Sequence, residues 1–364
     1  VADRRWRAPV SPAPPLSLVT GATGFLGSAI VARLLRQGHS IRCVVRGETD
    51  GDRVGRLRAA LGDQVDEWSR IEVVPGDLSR SRLGLSEADF RSLGRGVSHV
   101  VHCGARVNMT LPYEPLYDTN VRATEDLLDL AAALPASFGY VGSLAAVARG
   151  VATEPFELLA PVSGGYAQSK WSADRLVSVA HQEGRLGAVI FRPGRVTADS
   201  RTARGNPDDL LEMLVRSCVR LTAAPILRTR VRLSPVDWVS ELIVALSGAP
   251  VSHGRAYHLI SAETLPWTGV VAALRRAGHP LTELPYPQWR ALAIAHSGED
   301  PDVARLASAL PPTELTLDDR SLPGPINARR TLGGRFPGLP PAESLLDGTI
   351  AAWQATGRLP TPLP

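Results

Sequence analysis

The chain is 364 residues long, 44% hydrophobic and 21% charged, which is ordinary globular composition with room for one two-lobed unit or two modest domains. Its net charge of +4 is dispersed among Asp and Glu, which argues against nucleic acid as a partner, since phosphate tracking needs a concentrated basic stripe. No run of about 18 apolar residues suggests a membrane span, and three cysteines without a C-x-x-C pair point to the cytoplasm rather than to a secreted disulfide protein.

The opening stretch VADRRWRAPVSPAPP is Pro-rich and begins on Val1, and residues 1–14 read as a linker leading in from an upstream domain. From Leu16 onward, strand-like and helix-like segments alternate. LSLVT is followed by a Gly-rich turn and the helical pattern FLGSAIVARLLRQG, then by SIRCVVR, RIEVVPGD and VSHVVHCGA, all rich in β-branched residues. YDTNVRATEDLLDLAAAL has helical spacing, FGYVGS is a strand, YAQSKWSADRLVSVAHQ a helix and GAVIFRPG a strand. This alternation predicts an α/β fold: a Rossmann-type, doubly wound parallel sheet over residues 15–194. Residues 195–364 are expected to form a smaller, mainly helical lobe facing substrate, with some segments returning to the sheet. DDLLEMLVRSCVRL and VDWVSELIVALSG look helical there and RAYHLIS looks like a further strand, whereas beyond Leu281 the sequence reads as Pro-rich and irregular.

TGATGFLG lies between the first strand and the first helix with the spacing G-x-x-G-x-x-G. One glycine permits the tight turn, one lets backbone approach a pyrophosphate, and one lets helix and strand pack closely. The free N–H groups of the helix start then face phosphate, so Gly21, Thr23, Gly24, Phe25, Leu26 and Gly27 are assigned to a dinucleotide. The second strand ends in CVVRG, with Arg46 where an acidic residue would favour NAD, so NADPH is the expected cofactor and Arg56 a second contact to its 2′-phosphate. Asp77 and Leu78 in GDL end the third strand, where a carboxylate can meet the adenine amino group. Gly104 and Ala105 in HCGA end the fourth, where small residues let the chain pass close to the cofactor. His102 and Cys103 read as packing residues, and no metal site is expected.

Of the 40 lysine and arginine residues one is lysine, Lys170, four residues after Tyr166. On a helix the two side chains leave the same face. A phenol is a poor proton donor near neutrality with a reference pKa of about 10. A nearby ammonium is expected to lower that value, and lysine supplies the charge as a compact point that arginine's planar fork does not. Ser143, at the end of FGYVGS on the carboxyl edge of the sheet, is the candidate to hold the oxygen of a reacting carbonyl; otherwise it is an ordinary capping serine.

Together TGATGFLG, GDL, YVGS and YAQSK resemble an extended short-chain dehydrogenase/reductase, over residues 16–239. HCGARVN, NVRATEDLLDLA, FRPGRV and PVDWV further resemble the terminal thioester reductase domains of nonribosomal peptide synthetases and polyketide synthases, a kind of domain that carboxylic acid reductases also carry. That resemblance implies Ser143, Tyr166 and Lys170 as catalytic residues, Arg46 and Arg56 at the NADPH 2′-phosphate, and Pro193, Gly194 and Val196 beside the nicotinamide. It implies reductive release of an acyl or peptidyl thioester, carried by an upstream carrier protein on its phosphopantetheine arm, as an aldehyde or, after a second hydride, an alcohol. An excised domain of this kind is expected to be monomeric. Gly142, where relatives have a hydroxyl residue, departs from the pattern and suggests a looser corner.

Two alternatives stay open at this level. One is an extended reductase or epimerase acting on a free small molecule or sugar nucleotide. The other is a redox-inert module, either a reductase-like cyclase or an NADP sensor. Arg216, Arg220, Arg228, Arg230 and Arg232 fall in one stretch, RSCVRLTAAPILRTRVRL, which reads either as a surface for an acidic carrier or as a solvated basic face.

Overall fold

The computed structural model describes residues 14–317, 322, 324–360 and 362, so the linker assigned to residues 1–14 lies outside the described residues except for Pro14. Seven strands form one parallel sheet: β1 (Leu16–Thr20), β2 (Ser40–Val45), β3 (Ile71–Pro75), β4 (Val97–His102), β5 (Ser137–Val141), β6 (Ala188–Pro193) and β7 (Arg255–Leu259). Their order across the sheet is β3-β2-β1-β4-β5-β6-β7. The chain reverses its direction of travel between β1 and β4, and in open α/β sheets ligands bind outside the carboxyl ends of the strands at such a switch point.

Helices cover both faces, which is why the central strands are apolar throughout: every residue of β6 is buried. The helices that matter for the site are α1 (Phe25–Arg36), α2 (Asp50–Leu61), α3 (Ala123–Ala132), α4 (Gly165–Gln182), α5 (Leu210–Arg220), α6 (Val236–Ser247) and α7 (Ile326–Leu332). On one face α1 and α6 pack together through Ile30, Val31, Leu34, Val239, Leu242 and Leu246. On the other, α3 and α4 bury Leu127, Ala131, Ala173 and Val177. Late segments of the chain therefore complete the sheet: α6 covers it, β7 extends it beside β6, and Ala328 and Leu332 of α7 join the same core.

A third core gathers residues 198–359 only, with Leu214, Cys218, Leu274, Trp289, Leu306 and Ile350 at its centre. The region beyond Leu281 is not irregular. It holds helices Tyr286–Ala295, Pro301–Ala309, α7 and Ala342–Ala355. The prolines that obscured them sit at the starts: Pro285, Pro325 and Pro341 are N-caps and Pro301 opens its helix. A missing N–H costs nothing in the first turn, so proline marks these helices rather than breaking them. Among the described residues no helix is long and apolar enough to cross a membrane.

Candidate active site

One cleft of about 1380 Å³ runs along the carboxyl ends of the strands, and every residue singled out in the sequence for catalysis or cofactor binding lines it. The glycine turn forms its floor. Gly21 has φ +74°, and a Cβ there would lie 2.6 Å from the Gly104 nitrogen, so β1 and β4 close on each other only because this position lacks a side chain. A Cβ on Gly27 would stand 2.0 Å from the Gly21 oxygen, which ties α1 tightly to the turn. Gly24 is different: its nearest neighbour to a Cβ is the Gly21 oxygen at 3.3 Å. It caps α1, whose first turn holds no acidic residue and no side-chain cap, leaving the positive end of the helix available to an anion.

His102 is not a ligand-seeking residue. Its Nδ1 lies 2.6 Å from the Thr20 hydroxyl and its Nε2 3.0 Å from that of Thr124, while burial pushes its pKa down to about 3. The Thr20 hydroxyl also accepts from the Gly104 N–H at 3.2 Å, so this buried chain fixes the strand end on which Gly104 and Ala105 sit. At one end of the cleft Arg46 and Arg56 are exposed on the rim. Asp77 stands beside them. Burial works to raise its pKa, but hydrogen bonds from the Ser79 N–H and hydroxyl, with Arg46 and Arg80 nearby, hold it below the usual value.

Ser143, Tyr166 and Lys170 meet at the other end. Ser143 is a capping residue here, its Oγ accepting from the Ala145 N–H of a short turn at 3.1 Å, and it also hydrogen-bonds the Tyr166 phenol. Tyr166 and Lys170, one turn apart on α4, are 8% and 2% exposed. The expected lowering of the phenol is not what the structure shows. Burial raises the Tyr166 pKa, and the hydrogen bond with Ser143 is what opposes it. The reason is geometric: the Lys170 Nζ is drawn to the Val141 carbonyl, 2.8 Å away, and lies 4.6 Å over the Tyr140 ring. Burial in turn pushes Lys170 down to about 8, against the pull of Cys103 and Asp174.

Beneath this triad lies a pair that the sequence did not flag. Asp174, one turn beyond Lys170, and Arg192 of β6 are both fully buried and joined by two bonds of 2.8 Å. Arg192 also donates to the carbonyls of Pro155 and Phe156 at 2.6 and 3.1 Å. Gly142 does not loosen this corner. A Cβ there would already lie 3.2 Å from the Tyr140 ring and 3.5 Å from Asp174, and its N–H donates to the Phe191 carbonyl at 2.7 Å.

The lobe supplies the far wall, where sequence reasoning missed several residues. Arg195, next to Gly194, forms an ion pair with Asp209, the N-cap of α5, at 3.0 Å. Arg106, Met109, Thr119 and Arg232 also line the cleft, and Val107 and Met109 are 66% and 69% exposed at its mouth. A π-turn at Asp118–Arg122 places the buried Asn120 where it clips the Arg106 backbone to Ser169 of α4. The basic stretch does not form one free cationic face. Arg216 pairs with Asp302, Arg220 with Asp300, and Arg232 is buried against the Ser261 carbonyl, leaving Arg228 and Arg230 exposed.

A glycine turn at a sheet switch point, opening on a Ser–Tyr–Lys set whose Tyr and Lys are buried, defines an NAD(P)-binding oxidoreductase of the short-chain dehydrogenase/reductase kind. Comparison with known proteins places it more closely. A family described as "Male sterility protein", an NAD-binding domain, matches residues 19–243, and the chain belongs to that family. It is 33% identical over 75% of its length to a linear gramicidin synthase of Brevibacillus parabrevis, of which it spans 6%. It is 30% identical over 84% of its length to the large L-2-aminoadipate reductase polypeptide of Eremothecium gossypii, of which it spans 24%. The chain thus spans only a minor part of the curated relatives it matches. Among solved structures, the terminal R domain from the myxalamid PKS-NRPS biosynthetic pathway superposes with a TM-score of 0.87 at 33% identity, covering 98% of this chain and 94% of that one.

Proposed function

We propose that the chain uses NADPH to release an acyl or peptidyl chain, held as a thioester on the phosphopantetheine arm of an upstream carrier protein, as an aldehyde. The observation that carries this is the cleft that joins the glycine turn, the Arg46–Arg56 rim and the Ser143–Tyr166–Lys170 set, in a chain that a terminal R domain matches over 98% of its length. The cytoplasm is the compartment this reading assigns.

The residues present fit a dinucleotide phosphate. Gly24 presents bare backbone at the uncapped start of α1 for the pyrophosphate, and Arg46 and Arg56 supply cations for a 2′-phosphate. Pro193, Gly194 and Val196 would border the nicotinamide and Asp77 the adenine. NADPH, when bound, supplies the hydride that adds to the thioester carbonyl carbon. Ser143 and Tyr166 hold the carbonyl oxygen as negative charge develops on it. Burial keeps the Tyr166 phenol protonated, so it arrives as an acid and delivers its proton to that oxygen. Lys170, an ammonium below pH of about 8, adds positive charge to the wall of the same cleft, where negative charge develops on the substrate oxygen. The hemithioacetal then breaks its C–S bond, giving aldehyde and the free carrier thiol. Incubating the domain with an acyl-loaded carrier should consume NADPH, in preference to NADH, and release aldehyde or alcohol. An intact thioester and unconsumed NADPH, across several acyl chains, would refute the proposal.

A further inference from the structure

The three ionisable side chains Lys170, Asp174 and Arg192 are each no more than 2% exposed and lie in sequence beneath the active site. Burying three charges is costly, and replacing such groups by packed apolar residues is often neutral or stabilising. Their retention here calls for a use, and the geometry indicates one. Arg192 Nε and Nη2 grip both oxygens of Asp174 at 2.8 Å, a bidentate fork that fixes the carboxylate in one orientation. Nη1 and Nη2 also donate to the Pro155 and Phe156 carbonyls, which holds the fork in place. Asp174 is one helical turn from Lys170 on the same face of α4. On its other side the Lys170 Nζ meets the negative face of the Tyr140 ring at 4.6 Å. The Tyr140 hydroxyl has no hydrogen-bond partner among the described residues, so the ring is what this residue contributes.

We propose that Asp174, oriented by Arg192, and the Tyr140 ring are positioning residues that keep the Lys170 side chain charged and aimed at the Val141 carbonyl, at the edge of the cleft. None of them lines the cleft, so they act through Lys170. The groups facing Lys170 are Cys103 just beyond β4, Tyr140 on β5, Tyr166 and Asp174 on its own helix, and His102 at the β4 end. Asp174 and the Tyr140 ring are the ones that favour its charge; burial raises the Asp174 pKa and the Arg192 fork opposes that rise, while Cys103 is pushed up to about 12 and His102 down to about 3, so both of these are neutral near pH 7. The inference rests on the proposed role of Lys170 in reduction, but its test does not need turnover.

Because Lys170 is the only lysine in the chain, protein grown with 13C-labelled lysine gives a single side-chain resonance whose pH dependence reports this ammonium directly. In the unaltered protein it should titrate near pH 8. In Asp174→Asn the midpoint should fall by about one unit or more. Asp174→Glu should restore most of it, Tyr140→Leu should lower it in the same direction, and Tyr140→Phe, which keeps the ring, should leave it in place. In parallel, the alkaline limb of kcat/KM should move down with the resonance. A midpoint unmoved or raised in Asp174→Asn and in Tyr140→Leu would overturn the inference even if the domain reduces thioesters. If Asp174→Asn alone leaves the Arg192 charge too poorly matched for the protein to fold, Asp174→Asn with Arg192→Gln removes both charges and should shift the resonance the same way, while an unmoved midpoint there would count equally against it.

Discussion

Replacing Lys170 by methionine is expected to make the protein more stable and inactive at once. The side chain is 2% exposed, and burial lowers its pKa from 10.5 to about 8. At about 1.4 kcal/mol per pKa unit, the folded protein carries a penalty of roughly 3 kcal/mol for holding the ammonium. The folded-state value lies below the unfolded one, so the unfolded chain binds more protons between about pH 8 and 10.5 and stability rises with pH across that window. The penalty is fully present below about pH 8. Lys170→Met has similar length and no charge, so it should gain up to ~3 kcal/mol near neutrality, and the gain should fade toward pH 10.5. Urea unfolding of both proteins at about pH 7 and about pH 10, with equal m-values, measures this. Thioester reduction should fall by about 10²-fold or more in the variant. A variant less stable than the parent at neutral pH would refute the reasoning, since the ammonium would then be a net contributor to the fold rather than a cost retained for chemistry.

Tyr166→Phe keeps the ring and removes the proton, so kcat should fall by about 10²–10⁴, with NADPH affinity by fluorescence titration unchanged. A loss of less than tenfold would show that Tyr166 is not the proton donor. Arg46→Ala and Arg56→Ala should each weaken NADPH binding by about tenfold, as loss of a charge-assisted hydrogen bond implies, with NADH binding unchanged; an equal effect on both cofactors would remove these arginines from the 2′-phosphate. Log kcat/KM for NADPH should be level below about pH 8 and fall above it as the free enzyme's Lys170 loses its proton. Lys170→Arg, whose guanidinium stays charged, should lose that limb. Gly27→Ala places a Cβ 2.0 Å from the Gly21 oxygen, so it should lower the melting temperature and NADPH affinity together.

The sheet was legible because its strands are β-branched runs buried on both faces, and the dinucleotide turn because its glycines follow β1 directly. Lys170 was legible because every other lysine-or-arginine position in the chain is arginine. What the sequence hid was mostly a matter of surroundings. Asp174 and Arg192 look like any solvated charges until α4 and β6 pack, and nothing local in FGYVGS says that the Tyr140 ring lies under an ammonium. The direction of the Tyr166 shift was misjudged for the same reason: helical spacing brings phenol and lysine to one face, but burial and the Val141 carbonyl decide where the charge goes. The late helices were missed because proline was taken as a breaker when it stood at their starts, and the long basic stretch because its acidic partners, Asp300 and Asp302, come about eighty residues later in the chain.

The most direct measurement is the fate of the transferred hydrogen. The acyl-loaded carrier would be incubated with the domain and NADPH deuterated at the transferable position, and the released product analysed by mass spectrometry. Reductive release requires an aldehyde carrying one deuterium on its former carbonyl carbon, or an alcohol carrying two, with a free carrier thiol in equal amount. A product released without deuterium, as free acid or as a cyclised chain, would contradict it.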